Sequence, residues 1–394
     1  MTGVTVIEAT HPVRLGFMPE SQAIEDPEHL GLRRAGPRAA APYGDDRVEF
    51  HHCPAVDLVR ADPGELDLHG AGFDSVDLTG IEDLQRTCAE VLAAGAITDA
   101  QASAIRTALD GAVLPAAHGP DLRVLYIADE GLIMRTAGPN GRSLVGPRSV
   151  GMNGHGQAVS IHVDQDVHGT PLTQVMEGRA PTLFVHDSPD DSNRDGSLML
   201  VNLWIPLRQT VQPLVLADGR SIDRRRHQLR FGLPTGSFLE RGEDQAINDI
   251  YTLLHDDEQR WYFRSEMDHR SAWVFNTLST PHGAGVLPGE DSAERCYLAL
   301  EAAGAAVAAR DAAALEAAIA EVDVTLSAMP QTDALRAAVE QMVALLDVAR
   351  DDPARVIGTG AAAWSEAAAL ARSSVVRTSL EMRLVVTVDP DRTA

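Results

Sequence analysis

From residue 122 to residue 301 the apolar residues come in seven short runs, VLYIA, VSIHV, TLFVH, LMLVNLWIPL, PLVLADG, AWVFNTL and CYLALE, set among Gly, Pro, Asn and Asp. Short runs broken by turn residues at this spacing predict strands of an antiparallel sandwich or barrel. On either side the pattern changes. TGIEDLQRTCAEVLAAGAI places Ile81, Leu84, Cys88 and Leu92 at helical spacing, and TDAQASAIRTALDGAVL opens on a capping box from Thr98 to Gln101. Residues 1–16 alternate as a strand does, and 17–48, rich in Pro and Gly, are expected to be irregular. After residue 302 alanine dominates and the chain reads as amphipathic helices, closing on SVVRTSLEMRLVVTV, which fits helix and strand equally. Three regions are therefore expected: an N-terminal extension (1–121) with two helices packing on the core, a β core (122–301), and an Ala-rich helical region (302–394).

Charge narrows the partners. A net charge of −24, from 33 basic against 57 acidic residues, repels phosphate, so nucleic acid and anionic membrane surfaces are disfavoured and a small molecule is the expected partner. No apolar run approaches the roughly 18 residues that span a bilayer. All 33 basic residues are Arg. Without lysine the chain forms no Schiff base and no P-loop, so any anion it grips is held by Arg or backbone. Cys53, Cys88 and Cys296 lie scattered, as reduced thiols do, and no basic segment leads into an apolar one at the start; the expected location is the cytoplasm.

The chemistry concentrates in VSIHVD. Val159, Ile161 and Val163 alternate with Ser160, His162 and Asp164, so on a strand both polar groups that can bind a metal point to one face. A second His-x-Asp pair, His255 and Asp257, lies in AINDIYTLLHDDEQRW, which reads as a helix, where such positions diverge by about 200°. A two-His, one-carboxylate triad needs another imidazole. His282 in NTLSTPHGAGV is the best candidate, with Gly283, Ala284 and Gly285 expected to let a ligand approach closely. Arg295 follows 13 positions on (295 − 282), in ERCYLALE, which reads as the next strand. Trp204, Trp273 and Phe275 read as core aromatics, while Tyr126 and Asn202 could line a cavity. His168 is expected beside the metal ligands or in solvent, and DSNRDG, which copies the start of a calcium loop but has Asn202 at its twelfth position, reads as a hairpin turn.

Four stretches, IHVDQD, NLWIPLRQTVQPLVLADGRSI, WYFRSEMDHRSAWVFNT and PHGAG with ERCYLALE, together resemble the CmcJ/AsaB-like hydroxylase/desaturase family of the iron(II)- and 2-oxoglutarate-dependent oxygenases. The resemblance covers about residues 122–301 and implies a double-stranded β-helix (jelly-roll, cupin-like) core; with the helices read on either side of it, the expected chain is mainly β with α, its core carrying flanking helices and a helical C-terminal appendage. The resemblance further implies Fe(II) on His162, Asp164 and His282, O2, and 2-oxoglutarate as cosubstrate with its distal carboxylate on Arg295. Where the family often has Ser two residues after that arginine this chain has Tyr297, whose hydroxyl is one replacement; Tyr126 and Asn202 are the remaining candidates for the cofactor wall. The implied reaction is hydroxylation or desaturation of a small metabolite in specialised biosynthesis, releasing succinate and CO2, and the retained Asp164 argues against halogenation. A homodimer through the C-terminal helices is the assembly considered. Two other readings remain: an iron oxidase using O2 alone, with Arg295 on a substrate carboxylate, and a non-catalytic cupin-like binding or assembly protein.

Overall fold

The computed structural model describes residues 9–27, 31–36, 48–61, 64, 66–128, 132–145, 151–164, 198–208, 211–234, 247–320, 322 and 332–388. The first strands are β1 (Thr10–Phe17), β2 (Ala23–Glu25), β3 (Arg33–Ala35), β4 (Glu49–Asp57) and β5 (Phe73–Asp77). Helices α1 (Glu82–Ala94) and α2 (Asp99–Leu109) follow, then β6 (Val113–Leu114), β7 (Leu122–Ile127) and β8 (Ile133–Ala137). The centre of the chain supplies β9 (His162–Val163), β10 (Leu198–Pro206), β11 (Leu214–Ala217), β12 (Gln228–Pro234) and β13 (Ile247–Leu253). After β14 (Trp261–Phe263), β15 (Ser271–Asn276) and β16 (His282–Ala284) come α3 (Glu290–Ala309), α4 (Ala312–Ala320), α5 (Asp333–Asp351), α6 (Pro353–Ile357) and α7 (Ala361–Ser373). The last element is a strand, β17 (Arg377–Val388).

Among the described residues, one sheet runs β1-β4-β14-β11-β16-β9-β13-β12-β3-β2 and the other β5-β15-β10-β17-β7-β6, with β8 also on β17. Nearly every pairing is antiparallel; β14 with β4 and β12 with β3 are the parallel ones. Alternation along each strand sorts side chains into layers. On β11, Leu214 and Leu216 join Phe73, Trp204, Trp273 and Phe275 of the second sheet in the core between the sheets. Val215 and Ala217, on the other face, meet the C-terminal helices. On β10, Leu203 and Ile205 turn outward onto α1 and α2. The result is a double-stranded β-helix clasped between two helical layers.

The capping box at Thr98 and Gln101 forms as expected. The C-terminal helices spend their apolar faces on the barrel: Tyr297, Leu300, Val339 and Met342 share one cluster with Val13, Leu15 and Val215. They form an insertion in the barrel topology rather than a tail, because β17 returns to lie between β10 and β7 in the second sheet. The helical stretch starts at Glu290 rather than 302 and ends before the last strand.

Two local expectations are overturned. CYLALE is helical, part of α3, whose buried Ala293, Cys296, Tyr297, Leu300, Ala303 and Val307 follow the 3.6-residue period over a longer window than the run itself. INDIYTL is strand β13, because pairing with β12 and β9 supplies backbone partners that a helix period in the sequence does not anticipate. No helix among the described residues is long and apolar enough to cross a membrane.

Candidate metal centre

β9 and β16 are neighbours in the first sheet, and their register sets His282 directly opposite His162. Ile161 and Val163 are buried in the cluster beneath the C-terminal helices, which sends His162 and Asp164 to the opposite, inner face as the alternation predicted. Asp164 Oδ1 lies 3.3 Å from His162 Nε2 and 3.6 Å from His282 Nε2. The three candidate ligand atoms fall within 4.8 Å of one another. Bonds of about 2.1 Å to an octahedral ion place neighbouring ligand atoms about 3 Å apart, so the triad fits one face of such a site.

Each imidazole is set for this use by its own strand. His162 Nδ1 donates to Ser160 O at 2.8 Å and His282 Nδ1 to Thr280 O at 3.0 Å. A carbonyl only accepts, so both protons sit on Nδ1 and both Nε2 lone pairs face inward. Burial draws the His282 imidazole down to about 4, partly offset by the neighbouring Asp164 charge, so the ring is neutral near pH 7. Burial alone would raise the Asp164 carboxyl, but His282, His162 and Arg383 outweigh it and hold the group ionised, far below the usual carboxylate range.

The second sheet supplies the facing wall. Asn202 donates its Nδ2 to Asp164 Oδ2. Its register neighbours are Phe275 on β15 and Arg383 on β17. The Phe275 ring lies 4.4 Å, centroid to centroid, from His282, so it walls the site as well as joining Trp204 and Trp273 in the core between the sheets. Tyr126 on β7 is opposite Val385.

Arg295 and Tyr297 are not brought to this centre. Arg295 is on the exposed face of α3 with Nη2 on Ser292 Oγ, and Tyr297 packs among the C-terminal helices under the Arg372 guanidinium. The reason is the helix itself: a 3.6-residue period replaces the strand that would have aimed both side chains inward. The glycines after His282 also serve packing rather than ligand approach, since a Cβ on Gly283 would come within 2.8 Å of Ile161 and one on Gly285 would collide with Val13 and Val215. The second His-x-Asp pair sits past the end of β13, with the Asp257 side chain fully exposed and the His255 ring stacked 3.9 Å from His51. His168 and Asp191–Gly196 lie outside the described residues.

Residues that the sequence reading missed stand on β17. Leu380, Met382 and Leu384 face α1 and α2, which turns Arg377, Ser379, Glu381 and Arg383 inward. Arg377 is 4% exposed, and its Nε and Nη1 have no hydrogen-bond partner among the described residues; the Ser379 hydroxyl, two residues on, has none either. Burial draws the Arg377 guanidinium down to about 10, with Glu381 and Glu290 acting against that shift. A signal was present: Arg377-Thr378-Ser379 is an Arg-x-Ser sequence, the pattern sought and not found at Arg295.

Comparison with known proteins gives matches to oxidoreductases. The family model described as an oxidoreductase/YMDC permease-like domain matches residues 142–288, the span holding the triad. Oxidoreductase clz16 of Cochliobolus lunatus is 29% identical over 133 residues, 32% of this chain and 44% of that protein. Oxidoreductase R2 of a Phoma species is 31% identical over 93 residues, 21% of this chain and 32% of that protein. The chain thus matches less than half the length of each curated relative. Among solved structures, a variant of the iron and alpha-ketoglutarate-dependent endoperoxidase NvfI aligns over 98% of this chain and 99% of its own, with a TM-score of 0.44 and 13% identity. A second structure of that endoperoxidase, in a different conformation, gives 0.41 and 14% over 96% and 98%.

Proposed function

We propose that this chain is a non-haem Fe(II)- and 2-oxoglutarate-dependent oxygenase acting on a small metabolite in specialised biosynthesis. The observation that carries the reading is two kinds of site on the inward sides of the two sheets, the triad on the first and buried donors of β17 on the second. His162, Asp164 and His282 present two Nε2 atoms and one carboxylate oxygen, and Arg377 with Ser379 presents buried donors with no partner among the described residues. Two imidazoles and one carboxylate on one side of the ion, with the other positions open, suit Fe(II). In a chain without lysine, a buried guanidinium fork beside a hydroxyl suits the distal carboxylate of a 2-oxo dicarboxylic acid, so Arg377 and Ser379 take the roles expected of Arg295 and Tyr297. The names of the curated relatives agree with redox chemistry.

When bound, iron with 2-oxoglutarate and O2 supplies the oxidant for C–H hydroxylation or desaturation, the cosubstrate leaving as succinate and CO2. The protein's own part is positional. Ser160 O and Thr280 O hold the two rings, Asn202 holds Asp164, and Phe275 covers one side of the centre and excludes water from His282. Buried free cysteines fit a reducing compartment, which favours the cytoplasm.

The test is anaerobic titration of the metal-free protein with Fe(II) and then 2-oxoglutarate, following the visible metal-to-ligand charge-transfer band. A saturable band that His282→Ala abolishes is the expected result. Iron binding with no band would favour an oxidase that uses O2 alone; no iron binding would leave a cupin-like binding protein.

A further inference from the structure

Of Arg377, Ser379, Glu381 and Arg383, which β17 turns inward, three have an account. Arg377 and Ser379 are taken by the proposed cosubstrate, and Glu381 accepts a hydrogen bond from Arg135 Nε at 2.8 Å. Arg135 is itself satisfied, since its Nη1 also donates to Gly156 O at 3.0 Å. Arg383 is the remainder. Its Nε is buried with no hydrogen-bond partner among the described residues, while the side chain as a whole is only half-buried. It stands opposite Asn202, the residue whose amide holds Asp164 across the barrel. A guanidinium at the edge of the metal centre, with donor capacity left over, is a place for an anion to dock beside the open metal positions.

The geometry points to Arg383 as the anchor for a carboxylate on the substrate, which makes the substrate class small carboxylic acids. This rests on the proposed function and adds what that leaves open. A single planar fork matches one carboxylate in shape and charge; a phosphate, with about two charges, calls for more cations than this wall offers. The neighbouring Asn202 then fixes the distance between the anchored end of the substrate and the metal.

The experiment uses the full chain loaded anaerobically with Fe(II) and 2-oxoglutarate. Acetate, butanoate and benzoate are titrated in turn, each against its own amide, and perturbation of the charge-transfer band is read rather than turnover. Carboxylates are expected to perturb the band saturably and the amides not. Arg383→Gln should raise the half-saturating concentration about tenfold or more, with Arg383→Lys between, while the 2-oxoglutarate midpoint stays where it was. Amides as effective as acids, no perturbation by any of the acids, or an undiminished response in Arg383→Gln would overturn the assignment. So would a 2-oxoglutarate midpoint that moves in Arg383→Gln as far as in Arg377→Ala, which would put Arg383 in the cosubstrate site. If no band forms at all, the proposed function fails first, and that is seen before any acid is added.

Discussion

Asn202, on one sheet of the barrel, donates to Asp164 Oδ2 on the other, and so leaves Oδ1 as the oxygen that faces His162 and His282. One carboxylate therefore carries a structural bond across the barrel and a candidate ligand atom at the same time. With a metal ion bound, the division would leave Asp164 one oxygen to offer it, the other being held by Asn202.

Asn202→Ala should release Asp164 without removing a ligand. Fe(II) affinity is expected to fall about 10- to 100-fold, the usual cost of losing a residue that orients a ligand. Metal titration of the variant, with its melting temperature as a control for folding, checks this; unchanged affinity would mean that Asp164 needs no support from β10.

Arg377→Ala and Arg295→Ala separate the two arginine assignments. Removing one partner of a buried charged pair costs about 2–5 kcal/mol, or roughly 30- to 3,000-fold in affinity. That loss in 2-oxoglutarate binding is expected for Arg377→Ala, with part of it recovered in Arg377→Lys, and no loss for the exposed Arg295→Ala. The reverse order would return the search to α3.

Glu290 gives a pH dependence of known sign. Its carboxylate is fully buried in the first turn of α3 and accepts from Leu287 N and Asn140 N, both at 2.8 Å. Burial pushes it up to about 8 from the ordinary 4.5, against the pull of those donors and of Arg377 and Arg14. Between those two values the folded chain keeps a proton that the unfolded chain has lost, so the contribution is full at low pH and drains away as pH rises toward 8. The slope is at most about 1.4 kcal/mol per pH unit. Equilibrium unfolding in urea at stepped pH should show wild type losing stability relative to Glu290→Gln across this window; parallel curves would place the ionisation elsewhere.

Truncation after residue 302 should prevent folding rather than merely trim the molecule. It removes β17, which pairs with β10, β7 and β8, and leaves three strands without their common partner. Far-UV circular dichroism and size-exclusion chromatography of residues 1–302 should show unfolded or aggregated chain; a folded monomer would mean the second sheet closes without its central strand.

The sequence by itself determined the strand-rich centre, the two N-terminal helices and the ligand face of VSIHVD, because each depends on a periodicity carried within one short segment. His162 and Asp164 share a face for the same local reason that Thr98 caps α2. Which segments become neighbours is a different matter. The register that sets His282 opposite His162 depends on pairing between segments 120 residues apart (282 − 162). The arginine for the cosubstrate was expected 13 positions after His282 (295 − 282), at the spacing the family resemblance implies and on a run that reads as the next strand. The arginine proposed in its place, Arg377, stands 95 positions on (377 − 282), past five helices inserted between the last two strands. SVVRTSLEMRLVVTV alternates well enough for a strand and repeats well enough for a helix. Only partners on both sides, β10 on one and β7 with β8 on the other, decide the matter, because a strand is stabilised by backbone hydrogen bonds that another part of the chain must bring to it.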